Sequence, residues 1–191
     1  MANIKEMAES YNSRYPNYPP LVYTDRWLYG IWMIGNNYQS KNQFYGEYPP
    51  SYVNRVMAIF PNAKNILHLF AGSIDHFTNA TSFDINADLK PDVVGDAHHL
   101  SDYFPQGEFD LIMADPPYSS EDCLHYGTPM VNRSKVVSEA VLVLQSGGYI
   151  VWLDQVLPMY RKDTVELVGT IGLIRSTNHR FRVVSIFRKV N

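Results

Sequence analysis

From residue 61 onward the chain is built of short apolar runs separated by turn residues. Residues 65–70 (NILHLF), 81–85, 92–94, Phe109–Ala114 and 149–153 are runs of this kind, and each predicts a strand buried on both faces. Residues 130–145 carry Val136, Val137, Ala140, Val141 and Leu144 at helical spacing, with Gly147-Gly148 as the expected stop. Val53, Val56, Met57 and Phe60 predict one face of an earlier helix that Pro61 ends. At the other end, Val165–Arg175 and residues 180–188 flank Ser-Thr-Asn-His and predict a hairpin. Strands alternating with helices, then a closing hairpin, imply an α/β fold whose sheet is mostly parallel with an antiparallel edge.

Residues 11–50 differ from the rest: they hold eight Tyr, two Trp and five Pro, with little helical periodicity. The expectation is an aromatic-rich N-terminal arm over residues 1–50, packed on a body formed by residues 51–191. Trp27, Tyr29, Trp32 and Tyr38, near Arg26 and Lys41, are able to stack unpaired bases. The alternation in WLYGIWMI favours half-buried packing instead.

Composition narrows the class. With 191 residues, 46% hydrophobic and 18% charged, the chain is globular and has room for one ordinary domain. A single cysteine, Cys123, excludes a disulfide framework and a thiolate zinc site, and fits a reducing, cytoplasmic setting. No apolar run spans a bilayer, and MANIKEMAES is not a signal peptide. The net charge is -3 and unevenly spread. Residues 61–122 hold two basic against eleven acidic residues, whereas residues 123–191 hold nine against four. The basic end, with Arg175, Arg180, Arg182, Arg188 and Lys189, suits either a polyphosphate or a solvated hairpin face.

The chemistry concentrates where strands end. Asp115-Pro116-Pro117-Tyr118 follows the run Phe109–Ala114. Two prolines fix φ and remove two N–H groups, which leaves a rigid turn presenting carbonyls. A carboxylate and a neighbouring carbonyl can accept both protons of an exocyclic NH2, and the Tyr118 ring offers a stacking surface for the base. An ordinary strand-ending turn is the competing reading. Upstream, Phe70-Ala71-Gly72-Ser73 follows the first strand, Asp84 and Ile85 close the second, and Asp96-Ala97 follow the third. In a nucleoside-binding sheet these are the places for backbone approach, ribose hydroxyls and a base amine. His98-His99 point apart and lack a cysteine partner, which argues against a metal site. Cys123 sits beside Glu121 and Asp122 with no nearby cation in sequence to activate it. Residues 119–128 suit a lid or a surface loop, and Asn178 suits a phosphate contact or a hairpin turn.

The order FAGS, FDIN, GDA, DPPY resembles the class I S-adenosylmethionine-dependent methyltransferases, and DPPY resembles their amino-methylating branch, in particular short phage-type DNA adenine-N6 enzymes. The resemblance runs from about Tyr48 to Lys189 and implies a Rossmann-like sheet with S-adenosylmethionine as cofactor. It implies that Phe70, Ala71, Gly72 and Ser73 meet the methionine moiety, that Asp84 with Ile85 meets the ribose, and that Asp96 with Ala97 meets the adenine. Asp115, Pro116, Pro117 and Tyr118 then hold the target base, Asp115 also bordering the cofactor, and Asn178, Arg180 and Arg182 are candidates for nucleic-acid contact. Tyr48-Pro49-Pro50 resembles the segment that closes over the methionine end.

Three departures stand out. His68 replaces the usual acid before FxG, and Ile74 replaces a glycine, with Asp75 or an arm residue as the expected substitute. Only eleven residues separate Gly72 from Asp84, so the first crossover is short and one sheet face is expected to need cover from the arm or another subunit. No segment has the length of a target-recognition domain, which leaves specificity to loops, a homodimer mate or a partner subunit. The implied activity is methyl transfer to a base amine, with DNA the favoured partner. Methylation of RNA, a free nucleotide or another small molecule, and a non-catalytic cofactor-binding subunit, are the alternatives.

Overall fold

The computed structural model describes residues 3–35, 48–49, 51–72, 80–118, 121, 123–124, 128, 130–176 and 181–190. Its framework is a nine-stranded sheet: β1 (Val22–Tyr23), β2 (Leu28–Ile34), β3 (Ile66–Leu69), β4 (Ala80–Asp84), β5 (Val93–Val94), β6 (Phe109–Ala114), β7 (Leu144–Asp154), β8 (Val165–Arg175) and β9 (Phe181–Lys189). In space the order is β1-β2-β8-β9-β7-β6-β3-β4-β5. β3, β4, β5, β6 and β7 pair in parallel, and β9 runs antiparallel between β7 and β8. The expected Rossmann-like α/β sheet with a C-terminal antiparallel hairpin is therefore present.

Both sheet faces are covered, which is why the central strands are apolar without alternation. On β6, Leu111 and Met113 enter one core while Ile112 and Ala114 enter the other. Helices α1 (Ile4–Arg14) and α2 (Tyr52–Ile59) cover the first face. Helix α3 (Arg133–Val143) and the 3-10 turn Ala97–Asp102 cover the second.

The N-terminal segment departs from the expected arm. Asn3 and Glu6 form a capping box, each side chain accepting the other's amide at 3.0 Å, and α1 buries Ile4, Met7, Ala8 and Tyr11. β2 joins the sheet in parallel with β8, and its alternation buries Leu28, Trp32 and Ile34 while exposing Tyr29, Ile31 and Met33. Trp32 is thus a core residue, and Tyr38 lies outside the described residues. Arg55 of α2 is buried among aromatic rings, donating to Tyr11 Oη at 2.9 Å with its guanidinium 4.5 Å from the Tyr18 ring centre.

Two helix expectations need correction. The buried face of α2 is Tyr52, Arg55, Val56 and Ile59, with Val53 and Met57 at its margin. Contact with Trp32 and Tyr11 turns the helix toward the aromatic side. α3 spans Arg133–Val143 rather than 130–145, because Leu144 is already extended and pairs with Phe109. Gly147, at φ 70°, lies in an irregularity within β7 and does not stop the helix. Among the described residues no helix is long and apolar enough to cross a membrane.

Candidate active site

The chain runs outward from β3 through β4 to β5, then returns to the centre for β6, so the sheet reverses direction between β3 and β6. In open α/β sheets ligands bind beyond the carboxyl ends of the strands flanking this reversal. The turn after β3 (Phe70, Ala71, Gly72) and the turn after β6 (Asp115–Tyr118) lie at those two ends. Phe70 has φ 57° and Gly72 φ 58°, so the chain bends sharply off β3 and exposes backbone. Ser73, Ile74 and Asp75, and with them the first crossover, lie outside the described residues.

Asp84 ties this turn to the neighbouring strand. One carboxylate oxygen accepts the Gly72 amide at 3.1 Å and the other accepts the Asn86 amide at 2.9 Å. A carboxylate has about four acceptor positions, so capacity for ribose hydroxyls remains. Ile85 beside it is 47% exposed, an apolar surface at the strand tip. Asp96 caps the 3-10 turn: its Oδ1 accepts the His98 amide at 2.9 Å and pairs with His98 Nδ1 at 2.6 Å. Burial alone would raise the Asp96 carboxyl, but the His98 bonds outweigh it and hold it below the usual carboxylate range. Both bonds fall on Oδ1, which leaves Oδ2 to accept an amine, and Ala97 is buried beneath. Acceptor carboxylates thus stand at two neighbouring strand ends, with Ile85 exposed beside Asp84 and Ala97 buried beside Asp96.

His98 is structural as well, since its Nε2 accepts the Asn132 amide at 3.0 Å. Among the described residues no three His, Cys, Asp or Glu side chains group as metal ligands. Cys123 is buried.

Around Asp115 the structure gathers three tyrosines. The Tyr118 hydroxyl donates to Asp115 Oδ1. The Tyr48 ring stacks on Tyr52 with centres 5.3 Å apart, and its hydroxyl lies 3.4 Å from the Met113 carbonyl and from His68 Nδ1. Burial raises the Tyr48, Tyr52 and Tyr118 hydroxyls well above the ordinary phenol value, and the charge of Asp115 raises each further. All three stay protonated at neutral pH; Tyr118 donates to the carboxylate and Tyr48 to the Met113 carbonyl. His68 is buried on β3 beneath Tyr48, and burial lowers it to about 4, so it is neutral. The residue standing in the usual acid's place is therefore part of the core.

Arg182 reaches the same turn. Its guanidinium lies 4.5 Å from the Tyr118 ring centre. That contact places Arg182, a candidate for nucleic-acid contact, against the Tyr118 ring. Asn178 and Arg180, and most of residues 119–128, lie outside the described residues.

The sequence reading missed Arg133 and Asp154. Asp154 ends β7 fully buried, and Arg133 Nε donates to its Oδ2 at 2.6 Å. Arg133 Nη2 also donates to the Tyr118 carbonyl at 3.3 Å. One signal was available: Asp154 is a further acid at a strand end, after Asp84 and Asp115.

No protein-family model and no curated protein matches the chain. Solved structures do. TrmN from Thermus thermophilus superposes with a TM-score of 0.55 at 16% identity, over 75% of this chain and 49% of TrmN. The chain shares the Rossmann-like fold of TrmN. The chain spans about half the length of TrmN. The N-methyltransferase NodS from Bradyrhizobium japonicum, solved with S-adenosyl-L-homocysteine, superposes with a TM-score of 0.45 at 12% identity, over 68% of this chain and 79% of NodS. At 16% identity the likeness to TrmN is one of fold.

Proposed function

We propose that this protein is an S-adenosylmethionine-dependent N-methyltransferase whose acceptor is the exocyclic amino group of a base, with adenine N6 in DNA as the favoured acceptor. The observation that carries the reading is the juxtaposition of two turns at the reversal of the sheet. One, Phe70–Gly72, is braced by Asp84, and the other presents Asp115 and the Pro116 carbonyl beside Tyr118. Gly72, Asp84, Ile85, Asp96 and Ala97 are the residues that would hold the cofactor. Bound there, it supplies a methyl group on a sulfonium, a good leaving group, so alignment is most of what the protein must provide.

Asp115 and the Pro116 carbonyl accept hydrogen bonds from the two N–H groups of the amine. A ring-conjugated amine is a poor nucleophile, and this pull returns lone-pair density to its nitrogen. To do so, the amine displaces the Tyr118 hydroxyl from Asp115. Tyr118 then offers its ring as the stacking face, steadied by Arg182 behind it. The choice of adenine and of DNA rests on the resemblance of DPPY alone. Methylation of a free nucleotide or other small molecule is favoured by one observation: Arg182, one of three candidate phosphate contacts, is engaged with Tyr118.

The test is incubation with methyl-labelled S-adenosylmethionine and, in parallel, unmethylated genomic DNA, total RNA and free nucleosides, followed by digestion to nucleosides. Labelled N6-methyladenine from DNA is the expected product. Label only in RNA or free nucleosides reassigns the substrate. Cofactor binding without transfer to any acceptor overturns the enzymatic reading in favour of an accessory subunit.

A further inference from the structure

Arg133 and Asp154 form an ion pair more elaborate than a strand end needs. The Asp154 carboxylate accepts Arg133 Nε at 2.6 Å and Nη2 at 3.3 Å, Trp152 Nε1 at 3.1 Å, and the Gln155 amide at 2.7 Å. Four donors fill the acceptor positions of a carboxylate, so the buried charge is fully satisfied. Arg133 is the first residue of α3, where the positive end of the helix dipole disfavours a cation. Local preference asks for an acid at this position, so its cation answers to a tertiary demand.

That demand is visible in the third contact. The guanidinium that grips Asp154 also donates, through Nη2, to the Tyr118 carbonyl at 3.3 Å. Pro116 and Pro117 have no N–H, so at these two positions the backbone of the turn can be held only by its carbonyls. β7 pairs directly with β6, Ala114 opposite Trp152, so Asp154 lies at the strand end adjoining the turn. The planar guanidinium fork links the two with defined angles, which an ammonium would not. A buried ion pair adds little stability over apolar residues of the same volume, whereas it does impose geometry.

We propose that Arg133 and Asp154 are positioning residues for the acceptor pocket. They pin the C-terminal end of the DPPY turn so that Asp115 and the Pro116 carbonyl meet both protons of the acceptor amine. Arg182 steadies the Tyr118 ring, and Arg133 steadies its backbone. The proposal rests on the methyltransferase reading of that turn, and its test separates the two.

Arg133→Met and Asp154→Leu are made singly and together, with Arg133→Lys as the conservative variant. Arg133→Met leaves a fully buried carboxylate and Asp154→Leu a partly buried guanidinium, so each lowers Tm, and the double variant recovers it. If the pair positions the turn, the double variant keeps kcat about 100-fold below wild type with cofactor affinity within a few-fold. Arg133→Lys then falls between the two. A double variant that recovers both Tm and kcat overturns the proposal.

A second readout needs no turnover. 3-Fluorotyrosine at position 118 gives one sharp 19F resonance in the otherwise wild-type protein, and it should broaden or split in the double variant. An unchanged resonance overturns the proposal. A wild-type protein that methylates nothing, yet shows this 19F response, overturns the reading of the reaction and leaves the positioning role standing.

Discussion

Burial lowers the His68 imidazole well below its ordinary value, so its effect on stability can be worked out. It is 2% exposed on β3, and burial holds it at about 4 in the folded protein. An unfolded histidine titrates near 6.5. The folded-state value is depressed, so the neutral form is the one the fold favours. Above pH 6.5 neither state binds the proton and the full stability is present. As pH falls from 6.5 toward 4, the unfolded chain takes up a proton that the folded chain refuses, and stability is lost across that window. Between pH 7 and pH 5 the loss from this one group is about 2 kcal/mol.

Other groups titrate in the same range, so the measurement is a difference. Urea unfolding is followed at pH 7, 6 and 5 for wild type and for His68→Asn, whose amide sits near the Nδ1 position that faces Tyr48. The variant should lose about 2 kcal/mol less than wild type between pH 7 and pH 5, whatever its stability at pH 7. Equal losses in the two proteins would show that His68 titrates normally, and would refute the placement of this histidine in the core.

The remaining predictions concern the site. Asp115→Ala should reduce methyl transfer about 1,000-fold while isothermal titration finds cofactor affinity within a few-fold of wild type; loss of both would make Asp115 structural. Asp84→Ala removes the acceptor for the Gly72 and Asn86 amides, and cofactor binding should weaken about 10- to 30-fold before any effect on kcat is seen at saturation. Arg182→Gln removes the cation over Tyr118, so the acceptor KM should rise about 3- to 30-fold with no change in the salt dependence of DNA binding; a flattened salt slope would return Arg182 to the phosphates.

Much of this protein is legible along the chain because the relevant forces are local. Buried parallel strands announce themselves as short apolar runs, and Phe109–Ala114 was read with its observed bounds, as was the hairpin strand Val165–Arg175. The turn residues after each strand were legible too, since Gly72, Asp84, Asp96 and Asp115 follow directly from where those runs stop. Helix α1 had a local signal that the expected arm passed over, in the Asn3–Glu6 capping box and the spacing of Ile4, Met7, Ala8 and Tyr11.

What periodicity could not supply was the partner of each residue. Nothing local says that β2 pairs with β8, more than a hundred residues away in sequence, and so turns an expected arm into part of the sheet. Nothing local ends α3 at Val143; the pairing of Leu144 with Phe109 does. His68 occupies an acid's place by sequence, and only the cover of Tyr48 and α2 makes it neutral core. Arg182 was a candidate for nucleic-acid contact by sequence, and only the fold shows it against Tyr118; Arg133 carried no local signal and is defined by β7 ending beside it. Charge and hydrogen bonding act through space over a few ångströms, so the roles of these side chains were decided by which strands the fold set side by side.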